Sequence, residues 1–475
     1  MTCRIDIYRY LNININTQYL RQTMNKSNHT IEYLTSYNPS TGETLGQLPI
    51  SSDDHITETV AQAQKALKQW KAAPIGDRVR RIKAAYAQIK PYASELSELL
   101  SQEMGKDLRR ARGEVEGGIF TGGYHAESAQ NALAKKSLGH GTELHYKALG
   151  VVAVISPWNY PVMMANNLIV PALVAGNTVV LKPSEETPLI AHAFFKHLAA
   201  HLPEGVFNII HGDGRVGEAL VKSDVQLIAF TGSQNVGKHI MAHAATNLKR
   251  LVMELGGNDP MIVLEDADIE QAAGFAVASS FENAGQMCTS TERIYVDQRI
   301  AERFEQRVVE IARQYQVGPW DQANVNIGPI INVKQHQKIL SHIQDAKNKG
   351  ARILLGSCEY EAPYIQPTVV ADLTPEMAMS KEETFGPVVA IGRFESIEHA
   401  IELANNSNYG LGASVFGYKH AEEVANQLEA GMIGINQGPG GAGDAPWVGA
   451  KQSGFGFHGS AEGHRQFAQT TVIGK

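Results

Sequence analysis

The sequence predicts an α/β protein built on parallel sheets covered by helices. Two observations carry this. Between residues 150 and 255, short apolar runs alternate with segments of helical period, and the alternation resumes between residues 261 and 431; strands alternating with helices of this length are the pattern of strand–helix–strand units. The chain has 475 residues, more than one core holds, so two or three domains are expected.

Taken in order, residues 37–49 (YNPSTGETLGQLP) read as two short strands about a Ser-Thr-Gly turn. Residues 52–71 carry apolar positions at helical spacing, with Asp53 and Asp54 where acids suit a helix start. Helices are expected over 78–92, with Pro91 marking a break, over 93–104 with Gly105 as the stop, and over 108–132. Residues 137–148 break the helical pattern and read as a hairpin around Gly139-His140-Gly141. Strands then fall at 150–156, in TVVLKPS, and at 206–210, 226–230 and 250–255, with helices at 162–174, 187–201, 217–222 and 236–244 between them. In the second half, strands are expected at 261–264, 293–296, 351–355 and 386–391, and helices at 268–283, 300–316, 332–349 and 396–405. A strand in NYGLGASVFGY, a helix in AEEVANQLEAG ended by Gly431, a glycine-rich loop at 438–446 and a strand-like TTVI complete the chain.

Composition narrows the function classes. Hydrophobic residues make up 43% and charged residues 19%, which suits a packed globular protein. The net charge of −7, without a basic stripe, argues against nucleic acid as a partner. Cys3, Cys288 and Cys358 lie far apart, offering neither a zinc spacing nor a disulfide framework, so no metal is expected and a reducing, cytoplasmic setting is. No apolar run reaches the roughly 18 residues of a membrane helix, so no membrane partner is expected. Residues 1–23 are polar and lack a signal-peptide core, and they are read as a disordered extension, with Met24 as an alternative start.

Two side chains stand out. Glu254 closes the apolar run LVMEL ahead of Gly256 and Gly257, where a ligand could approach the backbone closely. Cys288 lies 34 residues later (288 − 254), after a loop with Asn283, Gly285 and Gln286. Alone, each has a bland explanation: a lone cysteine is usually a small buried hydrophobe, and a glutamate by glycines a solvated loop acid. Together, a thiol and a separate carboxylate suit two-step covalent catalysis. The turn Gly232-Ser233-Gln234-Asn235-Val236-Gly237 follows one expected strand and opens a helix, a place that favours a pyrophosphate, though it also reads as an ordinary strand-to-helix turn.

MELGGNDP followed by NAGQMC at this separation resembles the aldehyde dehydrogenase superfamily, and the resemblance runs through nearly the whole chain from about Tyr37. It implies a Rossmann-like cofactor domain over 24–130 and 149–255, a catalytic domain over 256–448, and oligomerisation segments at 131–148 and 456–475 that build a homodimer or homotetramer. It implies NAD as the cofactor, with NADP as the alternative. Ser156, Trp158, Lys182, Ser184, Glu185, Gly214, Gly232, Ser233, Val236, Leu255 and Gly256 would line the dinucleotide; Glu383 would hold the nicotinamide ribose and Phe385 would pack beside the ring. Lys182 and Glu185 would bond the adenosine ribose, and a carboxylate there disfavours a 2′-phosphate. In PWNYP, Asn159 would share an oxyanion hole with the backbone N–H of Cys288. Cys288 would capture an aldehyde, and Glu254 would activate the water that releases the acid. A cysteine thioesterase or hydrolase and a CoA-acylating enzyme are the rivals.

The chain also departs from that pattern. In the succinate-semialdehyde branch, which it resembles most in general, two arginines hold the far carboxylate; here Asn167 and Glu282 stand at those places, eight after Asn159 and six before Cys288. A neutral aldehyde is therefore expected, with Tyr160, Met163, Met164 and Met287 in its tunnel, while Glu282 alternatively suggests an amino aldehyde. Leu168 and His458 replace a lysine and a glutamate that assist the base in many members, and Phe457 replaces an arginine. Slower deacylation or a different water path through His458 follows.

Overall fold

The computed structural model describes residues 31–441 and 444–475. The expected extension, residues 1–23, and the alternative start at Met24 lie outside the described residues.

Strands β1 (Tyr33–Tyr37) and β2 (Thr44–Pro49) pair antiparallel ahead of four long helices, Asp53–Ala72, Ile75–Ala87, Ala93–Met104 and Leu108–Ala132. Local signals set the ends. Ser52 accepts from the His55 N–H, Asp107 caps the fourth helix through the Arg110 N–H, and Gly105 stops the third with φ 89°. A hairpin follows, β3 (Lys136–Gly139) and β4 (Thr142–Ala148).

The first main sheet collects β5 (Val151–Ile155), β6 (Thr178–Lys182), β7 (Phe207–Ile209), β8 (Leu227–Thr231) and β9 (Arg250–Glu254), all parallel. All five residues of β5, β6 and β8 are buried, because helices pack on both faces. Two hydrophobic clusters flank the sheet, one around Val152, Val154, Phe194 and Leu173, the other around Val151, Ile228, Leu220 and Ile240. Burying each such aliphatic side chain contributes about 1.5–3 kcal/mol.

The second sheet holds β10 (Asp259–Val263), β11 (Thr291–Asp297), β12 (Arg352–Leu355), β13 (Thr368–Ala371), β14 (Val388–Phe394), β15 (Gly412–Phe416) and β16 (Met432–Ile435), in the order β12-β13-β14-β11-β10-β15-β16. The tail adds β17 (Trp447–Val448), β18 (Gly454–Phe455), β19 (Phe457–His458) and β20 (Ala468–Ile473).

The parallel α/β expectation holds, with two antiparallel exceptions: β12 beside β13, and β18, which comes back to pair with β9 at the edge of the first sheet. The expected hairpin forms a three-stranded sheet with β20. The expected helix in AEEVANQLEAG is confined to Ala421–Ala425, and two segments not anticipated, β13 and β16, extend the second sheet. Helix Ile269–Phe281 stops short of Asn283, which adopts φ 52°.

Candidate active site

Glu254 is the last residue of β9, and the chain runs from it through Gly256-Gly257 into β10, from one sheet to the other. β18 holds this crossing from the side: the Leu255 N–H donates to the Ser453 carbonyl at 3.0 Å, and the Ser453 hydroxyl to the Gly256 carbonyl at 2.7 Å. The glycines leave room for the protein's own groups rather than, as the sequence suggested, for a ligand alone. A Cβ on Gly256 would lie 2.8 Å from both Glu383 carboxylate oxygens, and one on Gly257 would lie 2.2 Å from the Cys288 carbonyl oxygen. The Gly257 N–H donates to Glu383 at 3.0 Å. Residues 34 and 129 positions from Glu254 (288 − 254, 383 − 254) thus meet on one turn.

Cys288 follows three consecutive left-handed residues, Asn283, Ala284 and Gly285, at φ 52°, 59° and 71°. For the two non-glycine residues this costs on the order of 1–3 kcal/mol each, so surrounding bonds must hold the loop. Gln286, buried, accepts from the Ile331 N–H at 2.9 Å and donates to the Asn283 carbonyl at 3.2 Å. Asn159 donates from Nδ2 to the Gln286 carbonyl at 3.0 Å and accepts on Oδ1 from the Tyr160 N–H at 3.0 Å, which fixes the sense of its amide. Beneath it, Lys106 donates to the Asn159 carbonyl at 2.8 Å, and Glu114 accepts from the Val162 N–H at 2.9 Å. From the sequence, Gln286 is only a loop residue ahead of Cys288, Lys106 only part of a helix end, and Glu114 does not stand out. Nothing in the spacing announces the partner of Lys106.

Cys288 is a free, half-buried thiol. Burial pushes it above the ordinary thiol range, and Asp259, Glu254 and Glu383 push it further. Burial likewise raises Asp259 and Glu383, each to about 8, with Glu292 adding to both. Below that pH both acids are largely neutral, so burial dominates at the thiol. Glu254 is buried, and neither of its oxygens receives an aligned hydrogen bond among the described residues; Nε2 of His458 lies within ion-pair distance at 3.0 Å. Of the two departures, Leu168 is fully buried in the core, and His458 sits on β19 against Glu254.

The expected dinucleotide residues gather along the carboxyl ends of the first sheet. Ser156 follows β5, Lys182 closes β6, Gly214 opens the helix Gly214–Lys222 after β7, Gly232 and Ser233 follow β8, and Leu255 follows β9. Ser156 Oγ, Thr231 Oγ1 and Gln234 Nε2 are buried there with no hydrogen-bond partner among the described residues. Buried polar groups are normally satisfied, so their orphaning at this edge suits a polar ligand. Helix Gln234–Ala244 begins at Ser233 without a side-chain cap, leaving its first N–H groups for an anion, and Val236 is exposed beside them. Lys182 reaches Glu185 at 3.2 Å, Ser184 is buried between them, and a Cβ on Gly214 would meet open space. Trp158 and Phe385 meet edge to face at 5.5 Å. A dinucleotide fits this edge. Elsewhere, Glu218, His239 and His243 bring possible metal-ligand atoms within 4.8 Å of one another, although Glu218 is paired with Lys222 at 2.6 Å.

Glu282, read from the sequence as repelling an anionic tail or attracting an amine, shares one guanidinium with a second acid: Arg110 bonds Glu282 at 2.8 Å and also bonds Asp107 at 2.7 Å, and the Tyr160 hydroxyl lies 3.3 Å from Glu282.

Residues 25–473 match the family model described as the aldehyde dehydrogenase family. The chain is 38% identical over 439 residues to a probable succinate-semialdehyde dehydrogenase [NADP(+)] of Sinorhizobium fredii, covering 90% of this chain and 89% of the relative. It is 35% identical to the 3-sulfolactaldehyde dehydrogenase of Pseudomonas putida, covering 92% of each. Among solved structures, lactaldehyde dehydrogenase from Escherichia coli superposes with a TM-score of 0.90 at 34% identity, over 94% of this chain and 96% of that one.

Proposed function

Because the chain belongs to the aldehyde dehydrogenase family, we propose that Cys288 is its nucleophile, Asn159 its oxyanion donor and Glu254 its hydrolytic base. The protein oxidises an aldehyde to the carboxylic acid, with NAD or NADP as the oxidant.

The thiol sulfur adds to the aldehyde carbon. The oxygen that gains charge accepts from the second Nδ2 hydrogen of Asn159, the first being held by the Gln286 carbonyl. When bound, the nicotinamide cofactor supplies the two-electron acceptor that turns this adduct into a thioester. Ser156, Lys182, Ser184, Glu185, Gly214, Gly232, Ser233, Val236, Leu255 and Gly256 would hold it, with Trp158, Glu383 and Phe385 at the nicotinamide end. Glu254 then draws a proton from water attacking the thioester, and the acid leaves.

One observation carries this reading: a single hydrogen bond, Asn159 Nδ2 to the Gln286 carbonyl, ties the amide to the backbone two residues before the thiol. A deacylating carboxylate beside that thiol favours release of free acid over transfer to CoA. With Glu282 taking up Arg110, the described tunnel residues leave no unpaired cation for a terminal carboxylate, which supports a substrate with an uncharged tail. The Glu185 carboxylate favours NAD over NADP. Residues 24–130 with 149–255 would form the cofactor domain and 256–448 the catalytic domain. The β3–β4 hairpin and β20, within segments 131–148 and 456–475, would join subunits as a homodimer or homotetramer. Free cysteines at 288 and 358 suit a reducing cytoplasm. No helix among the described residues is long and apolar enough to cross a membrane.

NADH absorbance with an aldehyde panel, with and without CoA, tests the reading. Cys288→Ala should form no NADH, and Glu254→Gln should give one burst and stall. Steady turnover by Glu254→Gln would remove the base assignment, and a requirement for CoA would favour the acylating rival.

A further inference from the structure

The group facing the proposed base is a histidine with further histidines behind it. Nε2 of His458 lies 3.0 Å from Oε1 of Glu254, both side chains being 6% exposed. The same Nε2 lies 3.4 Å from the Asn167 amide nitrogen. Asn167 in turn hydrogen-bonds His125, whose ring meets that of His464 edge-on at 5.8 Å. Trp447 stacks parallel to His458, with ring centroids 6.1 Å apart. The five polar residues come from β9, β19 and the helices Leu108–Ala132, Met163–Val174 and Ser460–Arg465.

We infer that His458 is the positioning residue of Glu254 and receives its proton during thioester hydrolysis, an assignment that rests on Glu254 being the base. With a carboxylate on one side and an amide donor on the other, Nε2 can donate to Glu254 or accept from Asn167, and the proton's place between Glu254 and His458 selects which. The other two histidines do not compete for it. Burial, ahead of the neighbouring histidines, lowers His125 to about 4 and His464 to about 3, so both are neutral near pH 7. The indole face of Trp447 suits an imidazolium better than a neutral ring.

The step balances as follows. Water oxygen bonds the thioester carbon while Glu254 takes one water proton. That proton moves from the carboxyl to Nε2 of His458, restoring the carboxylate. The carbon–sulfur bond breaks, the electron pair stays on Cys288 sulfur, and the proton on His458 neutralises the thiolate or leaves to solvent.

The test compares His458→Gln with Glu254→Gln, using p-nitrophenyl acetate to acylate the thiol and, separately, NAD with hexanal. Both variants should release one burst of product per active thiol. Glu254→Gln should then stop; His458→Gln should continue at a steady rate lowered about 10- to 100-fold. Imidazole should restore part of that rate in His458→Gln and none in Glu254→Gln. A wild-type steady rate in His458→Gln, loss of its burst, or no rescue at saturating imidazole would overturn the role of His458. Wild-type turnover by Glu254→Gln would instead overturn the base reading beneath it. Should His458→Gln fail to fold, the wild-type steady phase in mixed light and heavy water decides: a curved proton inventory supports two protons in flight, and a straight one refutes them.

Discussion

Nζ of Lys106 sits 2.6 Å from Oε2 of Glu114, with the two side chains 0% and 1% exposed. Such a pair contributes little net stability when intact, because both charges have left water, but removing one partner strands the other. Here it also carries the Asn159 loop, since Lys106 bonds the Asn159 carbonyl and Glu114 the Val162 N–H. Lys106→Met or Glu114→Gln alone is expected to cost about 3–5 kcal/mol in urea unfolding and to lower kcat more than it raises KM. A single variant with wild-type midpoint and kcat would show that the pair anchors nothing.

The raised thiol of Cys288 has a direct consequence for its chemistry. The thiolate is the reactive form, so alkylation of the cofactor-free protein by iodoacetamide should climb about tenfold per pH unit between pH 7 and 9 and still be rising beyond the ordinary thiol pKa of about 8.5. A plateau below pH 8 would mean that the thiol ionises easily before any ligand binds.

Asp259 lies under the same turn with Oδ1 accepting from the Gly412 N–H at 3.0 Å and Oδ2 without a partner among the described residues. Burial raises its folded pKa to about 8, against about 3.9 in an unfolded chain. The folded state therefore keeps a proton that the unfolded chain releases, and the stability this contributes is lost as pH rises from about 4 through 8. Asp259→Asn preserves the acceptor and removes the ionisation. Its Tm should match the wild type near pH 4.5 and exceed it by a few degrees near pH 8.5. Parallel Tm curves across that range would place the shift elsewhere.

Glu282 and Asp107 together outnumber Arg110 by one charge at this wall of the site. Glu282→Gln brings the cluster to neutrality. The kcat/KM for succinate semialdehyde should then rise about three- to tenfold, the size of one screened charge at partial burial, while that for hexanal should change less than twofold. Equal effects on both aldehydes would mean that Glu282 acts through loop shape rather than charge.

How far the sequence reached can be judged from these residues. The strands β5, β6 and β8 were legible because sheets covered on both faces demand unbroken apolar runs, and VVAVI, TVVLK and LIAFT supply them. Cys288, Glu254 and Asn159 stood out through motif order, and the Asn159 amide bonds the Gln286 carbonyl two residues before Cys288. Periodicity reports the face a residue occupies and leaves its partner open. Hence Arg110 against Glu282, 172 positions apart (282 − 110), and Lys106 under Asn159 went unseen. His458 was visible as a departure from pattern, but its neighbour was not, since β19 and β9 are joined only through the tail's return. β16, MIGI with a glycine inside and an exposed end, lacks the apolar continuity that marked the inner strands.

That return has a temporal meaning. β18 pairs Gly454 with Glu254, which joins positions 200 apart (454 − 254). During synthesis the segment of the proposed nucleophile, Cys288, emerges long before the strand that pairs with Glu254, the proposed base. Fragments ending ahead of Ser453 should accumulate aldehyde-derived adducts on sulfur without discharging them, so that competence to release product is the last property the growing polypeptide acquires.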